Sequence, residues 1–317
     1  MYNNPYKNSN DNKRYYTMNY YFKQKYHKKV AKVPLNAGFT CPNRDGSKSI
    51  GGCTFCSSMG SGDSILAFSK GLKSQYDLGL KRMQKKWKDC LGFAYFQAYS
   101  NTYAPLDNLK KIYDPFVFDN NVAGISIATR ADCLDEEKIA YFDSIADTKE
   151  VWIELGLQSI HEDTMDRCNR MHTTKEVEEI LSLLKKTRIK SCIHIMNSLP
   201  SETKEDMLET AHWIAVWQPD AIKIHMLHLI ENTKMAEEYR QNPFKLLSLE
   251  EYVDIVVDQL EIISPDCIIE RLTGDGIAKD LIEPLWTIKK TIVTNEIDKE
   301  MVRRNTWQGK KFKKTSD

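Results

Sequence analysis

The 317-residue chain contains no run of eighteen apolar residues, so no segment is read as crossing a membrane. Its N-terminus, "MYNNPYKNSNDNKRYY", is polar and lacks an apolar h-region, which argues against secretion. Sequence repeats, low-complexity tracts and Pro/Gly-rich linkers are also missing, so one domain with short extensions is the simplest division. Without an export signal, the eight cysteines do not read as a disulfide framework, and a cytosolic protein is expected. A close cysteine trio reads better as metal binding or catalysis.

What is present fits a globular enzyme-sized chain. The apolar fraction is 41% and the charged fraction 28%, and the length is ordinary for an α/β barrel. Net charge is only +1, but residues 1–35 carry +7 and residues 302–317 carry +5, which leaves about −11 between them. Basic ends on an acidic body suit a protein that binds a polyanion; the plainer alternative is solvated tails.

Apolar runs alternate with amphipathic stretches. Strands are expected at 32–39, 92–99, 121–128, 150–157, 189–196, 220–227 and 266–272. Helical spacing follows Asp135 in "DEEKIAYFDSI", carries Val177, Ile180, Leu181 and Leu184 in "TKEVEEILSLLKK", and begins at Ser201 in "SETKEDMLETAHWIAVW". Strands separated by helices imply βαβ units and a parallel sheet. The expected fold class is α/β, a partial or complete TIM-like barrel over 31–290, with basic extensions over 1–30 and 291–317.

"GFTCPNRDGSKSIGGCTFC" (38–56) places Cys41 after the first strand and Cys53 and Cys56 at the end of a loop containing Gly46, Gly51 and Gly52. Three thiolates at a barrel mouth suit an iron–sulfur cluster with one open iron. A zinc site completed by Cys90, Cys133 or one of the seven histidines is the alternative.

The Cys-x-aromatic-Cys at 53–56, with Phe55 and an upstream Cys41, resembles the radical SAM superfamily. The long gap after Cys41 is similar to the YtqA/YhcC-type branch, related to the elongator catalytic subunit. The likeness continues through "YFQAYSNTYAP" (95–105), "ATRADCL" (128–134), "VWIELGLQSIHEDT" (151–164), "IKIHMLH" (222–228), "RLTGDG" (271–276) and "TWQGK" (306–310). Two positions depart from the family pattern: Ser198 stands where Gly-Leu-Pro has glycine, and Ala131 where Thr-Arg-Pro-Asp has proline.

The resemblance implies a 4Fe–4S cluster on Cys41, Cys53 and Cys56 that binds S-adenosyl-L-methionine at its open iron, with Phe55 packed beside it. It further implies cofactor contacts from Gln97, Ser100, Asn101, Glu154, Gln158 and Arg170, with Glu154 on the ribose and Arg170 towards the cofactor carboxylate. Burying Glu154 among Trp152, Ile153 and Leu155 without a partner would be costly, which favours a function. Arg170 pairing with a helix acid is the plainer alternative. His194, His225, His228 and Asp275 end strands where they could contact substrate.

The implied partners are tRNA and a reductant such as flavodoxin or ferredoxin, with no membrane. The implied reaction trims carboxymethylaminomethyl to aminomethyl at C5 of the wobble uridine. "KQKYHKKVAK" offers Lys23, Lys25, Lys28, Lys29 and Lys32 with Tyr26 and His27; "RRNTWQGKKFKK" offers Lys310 and Lys311 with Trp307 and Phe312. Cations for phosphates and rings for bases are the ingredients of RNA binding. A radical enzyme for a small molecule or protein, or a zinc-stabilised nucleic-acid-binding module, are the alternatives.

Overall fold

The computed structural model describes every residue except 1–3, 10–11, 61–64, 66–69, 275–277 and 315–317. Its strands are β1 (Val30–Leu35), β2 (Leu91–Phe96), β3 (Val122–Thr129), β4 (Glu150–Gln158), β5 (Lys190–Asn197), β6 (Ala221–Met226), β7 (Leu229–Ile230), β8 (Ile268–Arg271) and β9 (Leu281–Glu283). Its helices are α1 (Met18–Tyr26), α2 (Leu72–Lys86), α3 (Leu106–Val117), α4 (Glu136–Ile145), α5 (Glu162–Arg167), α6 (Thr174–Leu184), α7 (Lys204–Trp217), α8 (Lys234–Gln241), α9 (Leu249–Ile262) and α10 (Lys290–Arg303).

Seven strands form one sheet in the order β1-β2-β3-β4-β5-β6-β8, and β7 with β9 makes a small antiparallel ladder. The β1–β2, β2–β3, β3–β4 and β6–β8 pairings are parallel. This is the α/β arrangement of a partial TIM-like barrel. All seven expected strands are members of the large sheet. Their near-continuous apolar runs, such as the fully buried Val151–Leu155 stretch of β4, are what a strand covered on both faces requires. No helix among the described residues is long and apolar enough to cross a membrane.

Two compact units share the chain. One comprises Phe22–Gly156 and Asn169–Cys192. Its core is a chain of edge-to-face rings: Phe96 meets Tyr113 at 4.7 Å and Phe116 at 5.3 Å, and Tyr113 meets Phe142 at 5.4 Å. Around it, α4 starts at Asp135, whose carboxylate accepts the Lys138 N–H, and α6 starts with a capping box between Thr173 and Glu176. Val177, Ile180, Leu181 and Leu184 form the buried face of α6.

The other unit comprises Met1–Tyr21, Leu157–Cys168 and Ile193–Asp317. Here α7 is capped by Thr203 rather than Ser201, because Asp206 stands three residues after Thr203 and returns the hydrogen bond. A reciprocal amide pair, Asn197 with Gln259 at 2.9 Å in both directions, joins the end of β5 to α9. The early and late residues of the chain interlock. Arg14 Nη1 donates to the Met301 and Thr306 carbonyls, both at 3.0 Å. Gln308 accepts the Tyr16 N–H and donates to the Ser264 and Cys267 carbonyls. Tyr6 donates its hydroxyl to the Pro265 carbonyl at 2.6 Å.

Candidate functional site

The cysteine loop leaves β1 and is anchored at once. Gln75 of α2 accepts the Asn36 N–H and donates to the Asn36 carbonyl. Turns then close on Cys41, whose carbonyl accepts the Arg44 N–H at 2.8 Å, and on Cys53, whose carbonyl accepts the Cys56 N–H at 3.0 Å. Gly52 sits at φ +84, where any other side chain is strained, and an added Cβ would lie 2.9 Å from the Arg44 Nε, so Arg44 would also have to shift.

Asn43, wholly buried between the cysteines, organises the centre. Its Nδ2 donates to the Asn169 carbonyl at 2.7 Å, to the Arg170 carbonyl at 2.9 Å and, at 3.6 Å, to Cys53 Sγ. Asn169 and Met171 take left-handed conformations on either side of Arg170, which turns the Arg170 carbonyl inward. That carbonyl also accepts from Arg130 Nη1 at 2.8 Å. Arg130 forks onto Asp132 at 2.8 and 2.7 Å, and Lys48 reaches Asp132 at 2.7 Å. Although burial opposes its ionisation, the Arg130 fork and then Lys48 hold Asp132 below the usual carboxylate range. His172 is pushed well below its ordinary value by burial and by Arg170 and Arg130, so its ring is neutral.

These cations serve the thiols. Cys53 is pulled down to about 6, first by accepting the Cys56 S–H and then by Arg170, Arg130 and Asn43. Cys56 is driven up for the reciprocal reason, as donor to Cys53 and by burial. Cys41 lies within electrostatic reach of the same two arginines. The three sulfurs do not all lie within 4.8 Å of one another. Among the described residues, no set of three His, Cys, Asp or Glu ligand atoms lying within 4.8 Å of one another includes any of these cysteines. A tetrahedral zinc with bonds of about 2.3 Å would bring its sulfurs to about 3.8 Å. The donor set suits a larger body. Asn43 Oδ1 and Thr54 Oγ1, beside the thiols, are buried without a hydrogen-bond partner, as expected where a group is still to be seated.

Known proteins agree with this geometry. Residues 41–214 match the family model described as the radical SAM superfamily, and residues 219–303 match the radical SAM C-terminal domain. The chain belongs to the radical SAM superfamily. It is 43% identical over 317 residues to the uncharacterized protein YtqA of Bacillus subtilis, covering 100% of this chain and 98% of that one. A tRNA uridine(34) acetyltransferase of Methanocaldococcus jannaschii is 26% identical over 141 residues, 44% of this chain and 26% of its own length. Among solved structures, archaeal Elp3 from Methanocaldococcus infernus superposes with a TM-score of 0.65 at 17% identity, covering 88% of this chain and 64% of that one. Radical SAM proteins bind a 4Fe–4S cluster and S-adenosyl-L-methionine.

The remaining residues singled out from the sequence fall into place as follows. Phe55 is half-buried between Cys53 and Cys56. Past β2, the Gln97 N–H donates to the Leu35 carbonyl, and the Ser100 N–H to the Thr40 carbonyl, directly before Cys41. Asn101 uses its Nδ2 on the Phe96, Ala98 and Ala128 carbonyls, leaving Oδ1 buried without a partner. Glu154 is fully buried and accepts from Lys32 Nζ at 2.7 Å and from the Ser126 hydroxyl. This corrects one expectation: Lys32 is no phosphate ligand on the surface. Its side chain is only 14% exposed and lies against the Tyr95 and Trp152 rings. Lys25 likewise pairs with Glu150 at 2.7 Å. Lys28 is exposed, while Lys29 lies over Trp87 at 4.9 Å. Asn43, Arg130 and Asp132 were not among the residues expected at the site; Asn43 and Arg130 act through the Arg170 carbonyl, 127 and 40 residues away.

In the other unit, Gln158 ends β4 at φ +67. The His194 and His225 rings stand 5.6 Å apart, and His228 follows β6 with Nε2 buried and unpartnered. Asp275 lies outside the described residues. Lys310 sits over Trp307 and donates to the Asn305 carbonyl, and Lys311 pairs with Glu261. Ser198, at φ +72, occupies a conformation that a glycine adopts freely; its hydroxyl accepts the Leu247 N–H at 3.2 Å. A cavity of about 560 Å³ opens there, lined in part by Arg167, Ser198, Ser201, Glu202, Phe244 and Leu247.

Proposed function

We propose that this radical SAM enzyme acts on tRNA and converts the carboxymethylaminomethyl group at C5 of the wobble uridine to aminomethyl. The supporting observation is the likeness to a tRNA uridine(34) acetyltransferase over 141 residues, 44% of this chain, joined to the surplus of positive charge at both ends of the chain. Single-stranded loops are where RNA bases can be turned out into a pocket, so an anticodon loop suits a site at strand ends.

Cys41, Cys53 and Cys56 would hold the cluster, and the bound cofactor supplies a 5′-deoxyadenosyl radical able to take a hydrogen atom from substrate. The chain's own work is positioning. Arg130 and Arg170 favour the thiolate form; Asn43 fixes the loop against Arg170; the Asp132 carboxylate keeps the Arg130 fork rigid. A one-electron donor such as flavodoxin or ferredoxin completes the reading.

Anaerobic reconstitution followed by iron and sulfide analysis and electron paramagnetic resonance should show a 4Fe–4S signal in the wild type and none in Cys53→Ala. Stoichiometric zinc with no assembled cluster would defeat the reading at its base. Mass spectrometry of nucleosides from cells lacking the gene should show carboxymethylaminomethyluridine accumulating at the expense of aminomethyl products. An unchanged wobble-uridine profile would turn attention to a small-molecule or protein substrate.

A further inference from the structure

The far end of α2 carries a charge pattern that the body of the chain does not share. Between Lys81 and Cys90 stand five basic residues, Lys81, Arg82, Lys85, Lys86 and Lys88, and a single acid, Asp89. All five are exposed, and among the described residues none is paired with a carboxylate. This occurs within residues 36–301, where acids outnumber bases by eleven. Lys81 with Lys85, and Arg82 with Lys86, stand one helical turn apart, a spacing at which like charges destabilise an isolated helix. Two lysines in the last turn complement the helix dipole, but Lys81 and Arg82 lie before that turn and Lys88 beyond it.

Lysines at the start of β1 complete the face. The Leu91 N–H donates to the Lys29 carbonyl at 2.9 Å and the Cys90 N–H to the Trp87 carbonyl at 3.2 Å, so Lys29 lies alongside the turn that ends α2. Trp87 then takes two ammonium groups at one indole, Lys29 at 4.9 Å and Lys86 at 4.6 Å from the ring centroid. Burial, then Lys86, lowers Lys29, so the two cations sense each other across the ring. From residue 81 to residue 88 every exposed side chain is polar. A helix lying on a membrane, or the core of a protein interface, needs exposed apolar side chains, whereas a nucleic-acid backbone needs only cations.

We infer that Lys81, Arg82, Lys85 and Lys88, beside Lys29 and Lys86 on Trp87, form a contact surface for the phosphate backbone of tRNA away from the nucleotide being modified. The identity of the RNA rests on the function proposed above. At about 3.3 Å per residue, the six residues of β1 put about 20 Å between Lys29 and the strand end from which the cysteine loop departs. A base held at that strand end cannot also lie here, so the contact is to backbone and sets the position of the RNA. Lysine ammonium groups suit this task, as point charges on flexible stems that follow a row of phosphates without reading sequence.

The test is filter binding across a salt series with the anaerobically reconstituted full chain and purified tRNA. A variant combining Lys81→Gln, Arg82→Gln, Lys85→Gln and Lys88→Gln removes four charges and keeps good helix formers on an exposed face. It should flatten the slope of log affinity against log salt by at least about two, and weaken binding at low salt by at least about tenfold. Asp89→Asn removes the one acid and keeps a residue suited to φ +60, so it should strengthen binding by about twofold. In tRNA-dependent formation of 5′-deoxyadenosine, the four-charge variant should raise KM and leave kcat in place.

A wild-type slope retained by the four-charge variant would overturn the surface and leave the wobble-uridine reading standing. A fall in kcat with KM unchanged would overturn it too, because the residues would then act through the fold. A flattened slope, found together with unchanged wobble nucleosides in cells lacking the gene, would uphold the surface and reject the proposed reaction. Vesicles of phosphatidylserine and phosphatidylcholine serve as the competing anion. Binding to them that the variant loses, with tRNA binding unaltered, would overturn the surface in favour of a lipid headgroup.

Discussion

Glu154 is a carboxylate at the centre of a sheet, and its position makes a sharp prediction. Lys32 and Ser126 both donate to its Oε1, and Lys32 lies against the Tyr95 and Trp152 rings. Removing one partner of such a pair leaves the other charge buried, at a cost of about 3–5 kcal/mol. Glu154→Ala should therefore lower unfolding stability by that order in denaturant titration. Lys32→Met with Glu154→Leu should recover most of it. If Glu154 also meets the cofactor ribose, the stable double variant should still bind S-adenosyl-L-methionine more weakly, measured by calorimetry. Unchanged affinity in that variant would assign Glu154 to the fold alone.

A second carboxyl behaves oppositely. Glu202, in the cavity beside Ser198, has a buried Oε1 without a hydrogen-bond partner, and burial raises it to about 7. Between its ordinary value near 4.5 and about 7, the folded state holds the proton more tightly than the unfolded state. Its contribution is complete below the lower value and is lost as pH rises through the upper one. His228, lowered to about 4, acts in the reverse sense, favouring the folded state as pH rises from about 4 to 6.5. The two oppose each other in wild type, so the comparison must be with Glu202→Gln. Relative to that variant, wild type should lose about 1–3 kcal/mol between pH 4.5 and 7.5 in pH-resolved denaturation.

At the level of the element, Ser198 is a local joint. Ser198 accepts strain at φ +72, and its hydroxyl takes the Leu247 N–H, while Trp286 Nε1 donates to the Leu247 carbonyl at 3.1 Å. Left-handed strain in a non-glycine residue costs about 1 kcal/mol and one hydrogen bond returns about as much. Ser198→Gly should therefore stay within about 1 kcal/mol of wild type, while Ser198→Ala, which keeps the strain and loses the bond, should be the least stable of the three. Thermal unfolding of the three proteins decides it. Equal stability of the Ala and Gly variants would mean that the loop relaxes.

Elements were legible where the pattern ran long. Seven buried strands and the stripes of α4 and α6 announced themselves by runs and by spacing. The β7–β9 ladder, two residues against three, is too short for any period to show. The start of α7 was misplaced because Ser201 and Thr203 are both good caps, and only the acid at Asp206 selects between them. The site divided in the same way. Three cysteines close in sequence were readable, whereas Asn43 and Arg130 act on Arg170 from 127 and 40 residues away. The lysine stretch misled at Lys32, since charge alone does not tell a surface cation from the buried partner of Glu154.

For the whole molecule, the uneven charge predicts how the proposed tRNA binding should respond to salt. Each lost phosphate contact flattens the slope of log affinity against log salt by about one. Lys28 and Lys310 are exposed and should each do so when changed to alanine. Lys311 is committed to Glu261, so its removal should cost stability more than slope. Filter binding across a salt series measures both. Slopes unaltered by Lys28→Ala and Lys310→Ala would remove both lysines from the proposed tRNA contact.

The interlocking of early and late residues also sets an order of events during synthesis. The unit built from Phe22–Gly156 and Asn169–Cys192 has all its parts once residue 192 has left the ribosome. The other unit does not, because Arg14, Tyr16 and Tyr6 wait for carbonyls and side chains between Pro265 and Gln308. Its first strip of chain must stay unpartnered while nearly three hundred residues are added. Nascent chains stalled once residue 192 has left the ribosome should already protect the first unit from protease, and protection of residues 12–21 should arrive only when Gln308 has emerged.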